Sequence, residues 1–188
     1  LEADNAEVHR ALIDALLPTG PLVIVPAASG QPARSAAGFA ADLQAHGLAA
    51  DRIRVYPLAV RDDSETPDVD ESEWSRNAWD PERVAEVANA AGYWFTGGDQ
   101  MRITQVMLGP DGEESPLLQQ VRARLAAGAV VGGSSAGAAV MSRDMIAGGV
   151  SFTALLEPLA GAYSDSEDQD SGRLFLSRGL GFLPDGLV

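Results

Sequence analysis

Ala129-Val130-Val131-Gly132-Gly133-Ser134-Ser135-Ala136-Gly137-Ala138-Ala139-Val140-Met141-Ser142 decides the reading of this chain. A short apolar strand, 129–132, runs into small residues that make sense as the start of a helix. A serine on such a strand–turn–helix junction, with small neighbours that leave room for a substrate, is the layout of a nucleophile elbow. Ser135 is the candidate nucleophile; Ser134 still belongs to the strand exit. Small residues at such a junction also serve close packing, so the motif does not stand alone. Its support is a second glycine turn, Phe95-Thr96-Gly97-Gly98-Asp99-Gln100, which also follows a strand, Tyr93-Trp94-Phe95. Two such turns suggest a serine hydrolase with both loops at one site.

Working outward, strands and helices alternate. Residues 1–17 have helical spacing, with Val8, Leu12, Ile13 and Leu16 on one face. Leu22-Val23-Ile24-Val25 reads as a buried strand, followed by the loop Ala27-Ala28-Ser29-Gly30. A helix is expected from Ser35 to His46, and a strand from Ile53 to Val60. Asp80-Pro81-Glu82 is a helix start, with Asp as N-cap and Pro at the first helical position. That helix is expected to reach about Ala91. Further helices are expected from Asp99 to Met107 and from Ser115-Pro116 to near Gly128. Another starts at Ser135, and a strand is expected from Arg173 to Ser177. Residues 61–79 begin with a polar, acidic run and read as a surface excursion, and 164–172 as a mobile loop. Strands separated by helices imply one α/β domain whose mostly parallel sheet is covered on both faces. Ligands of such sheets sit at the C-terminal ends of strands. The loops 26–30, 96–100 and 133–137 all lie there.

The bulk composition sets limits. The chain has 188 residues and a formal charge of −14, and every basic residue is an arginine. This excludes nucleic acid as an expected partner, because binding a phosphate backbone needs a basic surface. Cysteine is absent, which removes thiolate nucleophiles, disulfides and Cys-ligated zinc. No metal or cofactor is expected. No apolar run is long enough to span a bilayer and no signal peptide is visible, so the expectation is a cytoplasmic protein without a membrane partner.

The chemistry follows from the two turns. A serine hydroxyl needs a base to take its proton. The Ala136 N–H, next to the nucleophile at a helix start, is the expected first oxyanion donor, and the Gly97-Gly98 turn brings the second. Gln100 and Asp99 are placed to hold a substrate amide or ammonium, although Asp99 also suits an N-cap.

The pair of motifs, with Gly179-Leu180-Gly181-Phe182-Leu183-Pro184 further on, closely resembles the cyanophycinase family. These serine peptidases are related to dipeptidase E. The resemblance covers nearly the whole chain. It implies a flavodoxin-like three-layer sandwich of the class I glutamine amidotransferase type. It also implies a small or acidic-residue-containing peptide as substrate, an acyl-enzyme at Ser135, oxyanion positions at Gly98 and Ala136, and a pocket residue at Gln100, with a homodimer possible. In that family the base is a histidine in an Asp-Gln-His-Phe-like stretch soon after the Gly-Leu-Gly segment. Here the histidines are His9 and His46, both upstream and both read as packing or surface residues. By the same resemblance, the first strand and the His-bearing segment fall outside residues 1–188. Glu157 is the candidate for an orienting carboxylate. The rival readings are a non-catalytic binding protein on the same scaffold and an amidotransferase-type amidase, a class that usually uses cysteine.

Overall fold

The computed structural model describes residues 6–66, 68–156 and 174–187. Four parallel strands form the central sheet: β1 (Leu22–Val25), β2 (Ile53–Val55), β3 (Gly92–Phe95) and β4 (Val130–Gly133). Their order is β2-β1-β3-β4. Leu22-Val23-Ile24-Val25 is buried along its whole length, as expected of an inner parallel strand covered on both faces.

Side chains alternate between the two faces of the sheet. Val23, Val25, Tyr93 and Phe95 join one core. That core is completed by α3 (Pro81–Ala85), α4 (Gln100–Met107), α5 (Pro116–Ala126) and α6 (Ala136–Ala139). Leu22, Ile24 and Trp94 face the other way, onto α1 (Ala6–Asp14) and α2 (Pro32–Ala45). The architecture is the α/β three-layer sandwich expected from the alternation.

The structure shortens some expected elements. β2 ends at Val55, before Pro57, which has no N–H to continue the ladder. Tyr56 still donates to Ile24 O at 2.9 Å. α3 keeps its Asp80 cap, which accepts from the Glu82 and Arg83 N–H groups, but its regular part ends at Ala85. Beyond it the backbone bonds tighten to i→i−3, and Tyr93 Oη donates to the Val87 carbonyl.

The largest difference follows α6. The chain leaves the helix after Ala139 and becomes β5 (Ser142–Gly148). This strand pairs antiparallel with β6 (Phe175–Arg178) and parallel with β7 (Leu183–Leu187). β6 overlaps the expected strand at 173–177. Gly179-Leu180-Gly181 is clamped between them: a Cβ on Gly179 would lie 2.2 Å from Ser142 O. Leu180 is buried and donates to Val140 O at 2.7 Å. A short helix, α7 (Ser151–Leu156), follows β5.

The acidic stretch is more than a solvated surface, because Glu71 is wholly buried. Its carboxylate accepts the Ala33 N–H at 2.8 Å, in the first turn of α2, and the Asp63 N–H at 2.9 Å. A carboxylate is favoured there by the unpaired amides and dipole of the helix N-terminus. Its own N–H donates to Asp62 Oδ1 at 2.8 Å. Asp63 is held below the usual carboxylate range by the Thr66 hydroxyl and then by the Glu65 N–H. Glu71→Ala leaves two N–H groups unpaired at a buried position, with an expected cost of about 2–3 kcal/mol. Urea unfolding checks this, and Glu71→Gln should lose less.

Candidate active site

Val25, Phe95 and Gly133 lie in one row across β1, β3 and β4. The loops leaving these strands therefore start from the same edge of the sheet. They meet there. Asp99 N–H donates to Ala28 O at 2.9 Å. Gly98 has a φ of 142°, and a Cβ on it would lie 2.1 Å from Ala28 O. A Cβ on Gly97 would come within 3.3 Å of Ser135 Cβ and 3.8 Å of Ser135 Oγ. These glycines bring the 96–100 backbone close to both the 26–30 loop and Ser135.

Ser135 has φ 53° and ψ −116°. Among the described residues it alone combines a side chain with positive φ. Such a conformation costs about 1–3 kcal/mol and persists only where the surroundings impose it. Here they do. Ser134 N–H donates to Phe95 O at 3.1 Å, and the Ser135 carbonyl accepts from Ala138 and Ala139, both at 2.9 Å. Gly133 and Gly137 let the turn press onto itself and onto β3. A Cβ on Gly133 would lie 2.4 Å from Gly137 O, and one on Gly137 would lie 2.0 Å from Phe95 O.

A serine in front of a helix ordinarily serves as its N-cap. Ser135 does not: its side chain makes no capping hydrogen bond, and the residue is exposed. The strained turn thus presents a hydroxyl that the helix does not use. Ala136 is buried and opens α6, so its N–H has no acceptor within the helix.

Asp99 caps α4, accepting the Met101 N–H at 2.9 Å, and lies 4.0 Å from Arg102 Nε. Arg102 also reaches Ala28 O, at 3.5 Å, and so ties the two loops together. Its spacing of three residues from Asp99 was the available sequence signal. Gln100 begins α4, and its amide nitrogen donates to Ile146 O at 2.7 Å. That bond orients the amide and leaves Oε1 as the free acceptor. Thr96, between Phe95 and Gly97, is buried with its hydroxyl unpartnered among the described residues.

The histidines lie elsewhere. His46 follows the C-terminus of α2, whose N-terminus is at the loop edge of the sheet, so the helix carries it to the opposite edge. His9 stacks on it, with ring centroids 4.6 Å apart, and also packs against Phe39, which stacks on Trp94. Both are packing residues on the α1–α2 face, as the sequence suggests. Glu157 lies outside the described residues. Among the described residues there is no cluster of metal-ligating side chains, and no helix is long and apolar enough to cross a membrane.

Comparison with known proteins adds kinship to this geometry. No family model matches the chain. The cyanophycinase of Synechococcus elongatus is 35% identical over 108 residues, 57% of this chain and 28% of that protein. The cyanophycinase of Nostoc sp. strain PCC 7120 is 26% identical over 168 residues, covering 89% and 45%. The chain thus spans less than half the length of these curated relatives. The crystal structure of a peptidase from an acI-B1 Actinobacterium shares the fold, with a TM-score of 0.57 at 19% identity. That likeness covers 95% of this chain and 59% of the other.

Proposed function

We propose that this cyanophycinase-like chain carries the nucleophile of a serine-type peptidase. The observation that supports it most is the uncapped, exposed Ser135 at positive φ, beside the Gly97-Gly98 turn. In this reading Ser135 Oγ attacks the scissile carbonyl carbon while its proton passes to a base. The tetrahedral oxyanion is held by the Ala136 and Gly98 N–H groups. Each such donor contributes a rate factor of about 10²–10³. The protonated amine leaves, an ester on Ser135 remains, and water hydrolyses it.

His9 and His46 do not serve as the base, because they lie at the other edge of the sheet. The resemblance implies a histidine that follows Gly179-Leu180-Gly181. The described geometry is compatible: Leu180 is bonded to Val140, at the end of the helix that Ser135 opens. The substrate is a peptide, and Gln100 Oε1 accepts one of its N–H groups. Gln100→Ala is expected to raise KM about tenfold, the loss of one good hydrogen bond, with kcat less affected. Steady-state kinetics on a cleaved peptide checks this.

The direct test is covalent capture. A fluorophosphonate should add one phosphonyl group to the Ser135 peptide, read by mass spectrometry, and block peptide cleavage. Labelling of another serine with loss of activity would overturn the assignment.

A further inference from the structure

Leu155 on α7 is 84% exposed, and Val150, which leads into that helix, is 54% exposed. With Ile146, Ala154 and Leu174 they line a cleft of about 360 Å³ between the end of β5, α7 and the chain entering β6. Among the described residues that line it, Ser151 alone carries a polar side chain and none is charged. The chain as a whole carries a formal charge of −14. The backbone shapes this cleft. Ile146 pairs with Leu176 and Gly148 with Phe175, so Ala147 is an extra residue in β5. Such a bulge bends its strand and often lies beside an active site. Gly149, at a φ of 119°, then turns the chain into α7, where Ala154 N–H donates to Val150 O at 3.0 Å. Contiguous apolar surface left uncovered in this way marks a binding site.

Its position points to the occupant. Ile146 lines the cleft, and its carbonyl accepts from Gln100 Nε2 at 2.7 Å. Gln100 stands three residues after Gly97, the residue that presses on Ser135. The cleft is thus continuous with the candidate active site through one hydrogen bond. We infer that it receives an apolar side chain of the bound peptide. Oε1 and Nε2 of Gln100 share one carbon. A peptide nitrogen whose N–H is received by Oε1 therefore lies no more than about 8 Å from the Ile146 oxygen. An extended peptide covers that distance in about two residues. A side chain one or two residues from that N–H reaches the cleft.

The lining decides which side chains fit. A leucine-sized side chain gains there by leaving water. A charged one loses hydration and meets no opposite charge. The volume is at the low end of the range for ligand pockets, so it suits one or two large side chains. That the peptide is a substrate rests on the peptidase reading; the apolar preference rests on the lining alone.

The test is a titration of ¹³C-methyl-labelled Ser135→Ala protein, following the Ile146, Val150 and Leu155 methyl signals. The probes are N-acetyl-tetraalanine amides with one leucine at each position in turn, and their asparagine counterparts of similar shape. One leucine position is expected to bind about tenfold or more tightly than its counterpart, with saturable shifts at all three residues. Leu155→Gln, at a position with little packing to lose, should remove most of that tenfold, and Val150→Asn should do the same. Phe152→Gln is the control: Phe152 is 73% exposed on the same helix but outside the cleft, and the preference should survive. Equal binding of leucine and asparagine peptides, a preference spread over every position, or equal loss with Phe152→Gln would overturn the proposal. So would α7 methyl signals that broaden with protein concentration in the absence of peptide, which would make the occupant a second copy of the chain. Fluorophosphonate capture on the parent protein is read separately. An unlabelled Ser135 with the leucine preference intact would refute the peptidase reading and leave the cleft an apolar peptide site.

Discussion

Ser135→Ala is expected to lower peptidase turnover by about 10⁴- to 10⁶-fold, the range for removing a nucleophile that acts as one unit with its base. The neighbouring Ser134→Ala is the control, with activity expected within a few-fold of the parent. Position 135 also predicts an uncoupling of activity from stability. Alanine keeps the Cβ, so the strain at φ 53° remains and the unfolding midpoint should barely move. Glycine relieves that strain, and Ser135→Gly should gain about 1 kcal/mol or more while remaining inactive. A protein held in a costly conformation for chemistry behaves this way. Peptidase assays with urea unfolding of the three variants check it. Ser135→Ala activity within tenfold of the parent would sink the nucleophile assignment.

What was legible in the sequence was whatever rests on local pattern. The apolar run 22–25 and the caps at Asp80, Asp99 and Ser115 are local signals, and each sits where the sequence puts it. The convergence of three loops was legible too, because a parallel sheet places all its strand-to-helix loops on one edge. Features that depend on distant partners were not. Ser142–Gly148 has no strong strand alternation and follows a helix start; it becomes a strand because β6 and β7 pair with it. Glu71 sits in a run of acids that reads as solvated, and only the approach of α2 makes it a buried acceptor. The place of Gln100 at the start of α4 was legible, but not the Ile146 carbonyl that orients its amide, 46 positions away.

Gly137→Ala is expected to be strongly damaging at the site. The new methyl carbon would lie 2.0 Å from Phe95 O and 2.6 Å from Phe95 C, both backbone atoms of a central strand. No side-chain rotation relieves such a contact, so α6 must move off β3. That movement pulls on the Ser134 N–H to Phe95 O bond and on the carbonyls that hold Ser135. The combined overpacking and lost hydrogen bond should cost about 3–5 kcal/mol. Any fraction that folds should also lose activity, since a displacement of about 1 Å at a nucleophile costs about 10²-fold. Gly38→Ala supplies the contrast. Gly38 lies within α2, and a Cβ there meets nothing within 4 Å. That change should stabilise by about 0.5–1 kcal/mol through helix propensity alone. The same substitution is thus expected to act in opposite directions at two helical glycines, and the sign follows from what faces the missing methyl group. Parallel urea titrations with activity assays decide it. A Gly137→Ala protein as stable as the parent would mean that the 133–137 turn does not press on β3, and the strain at Ser135 would lose its cause.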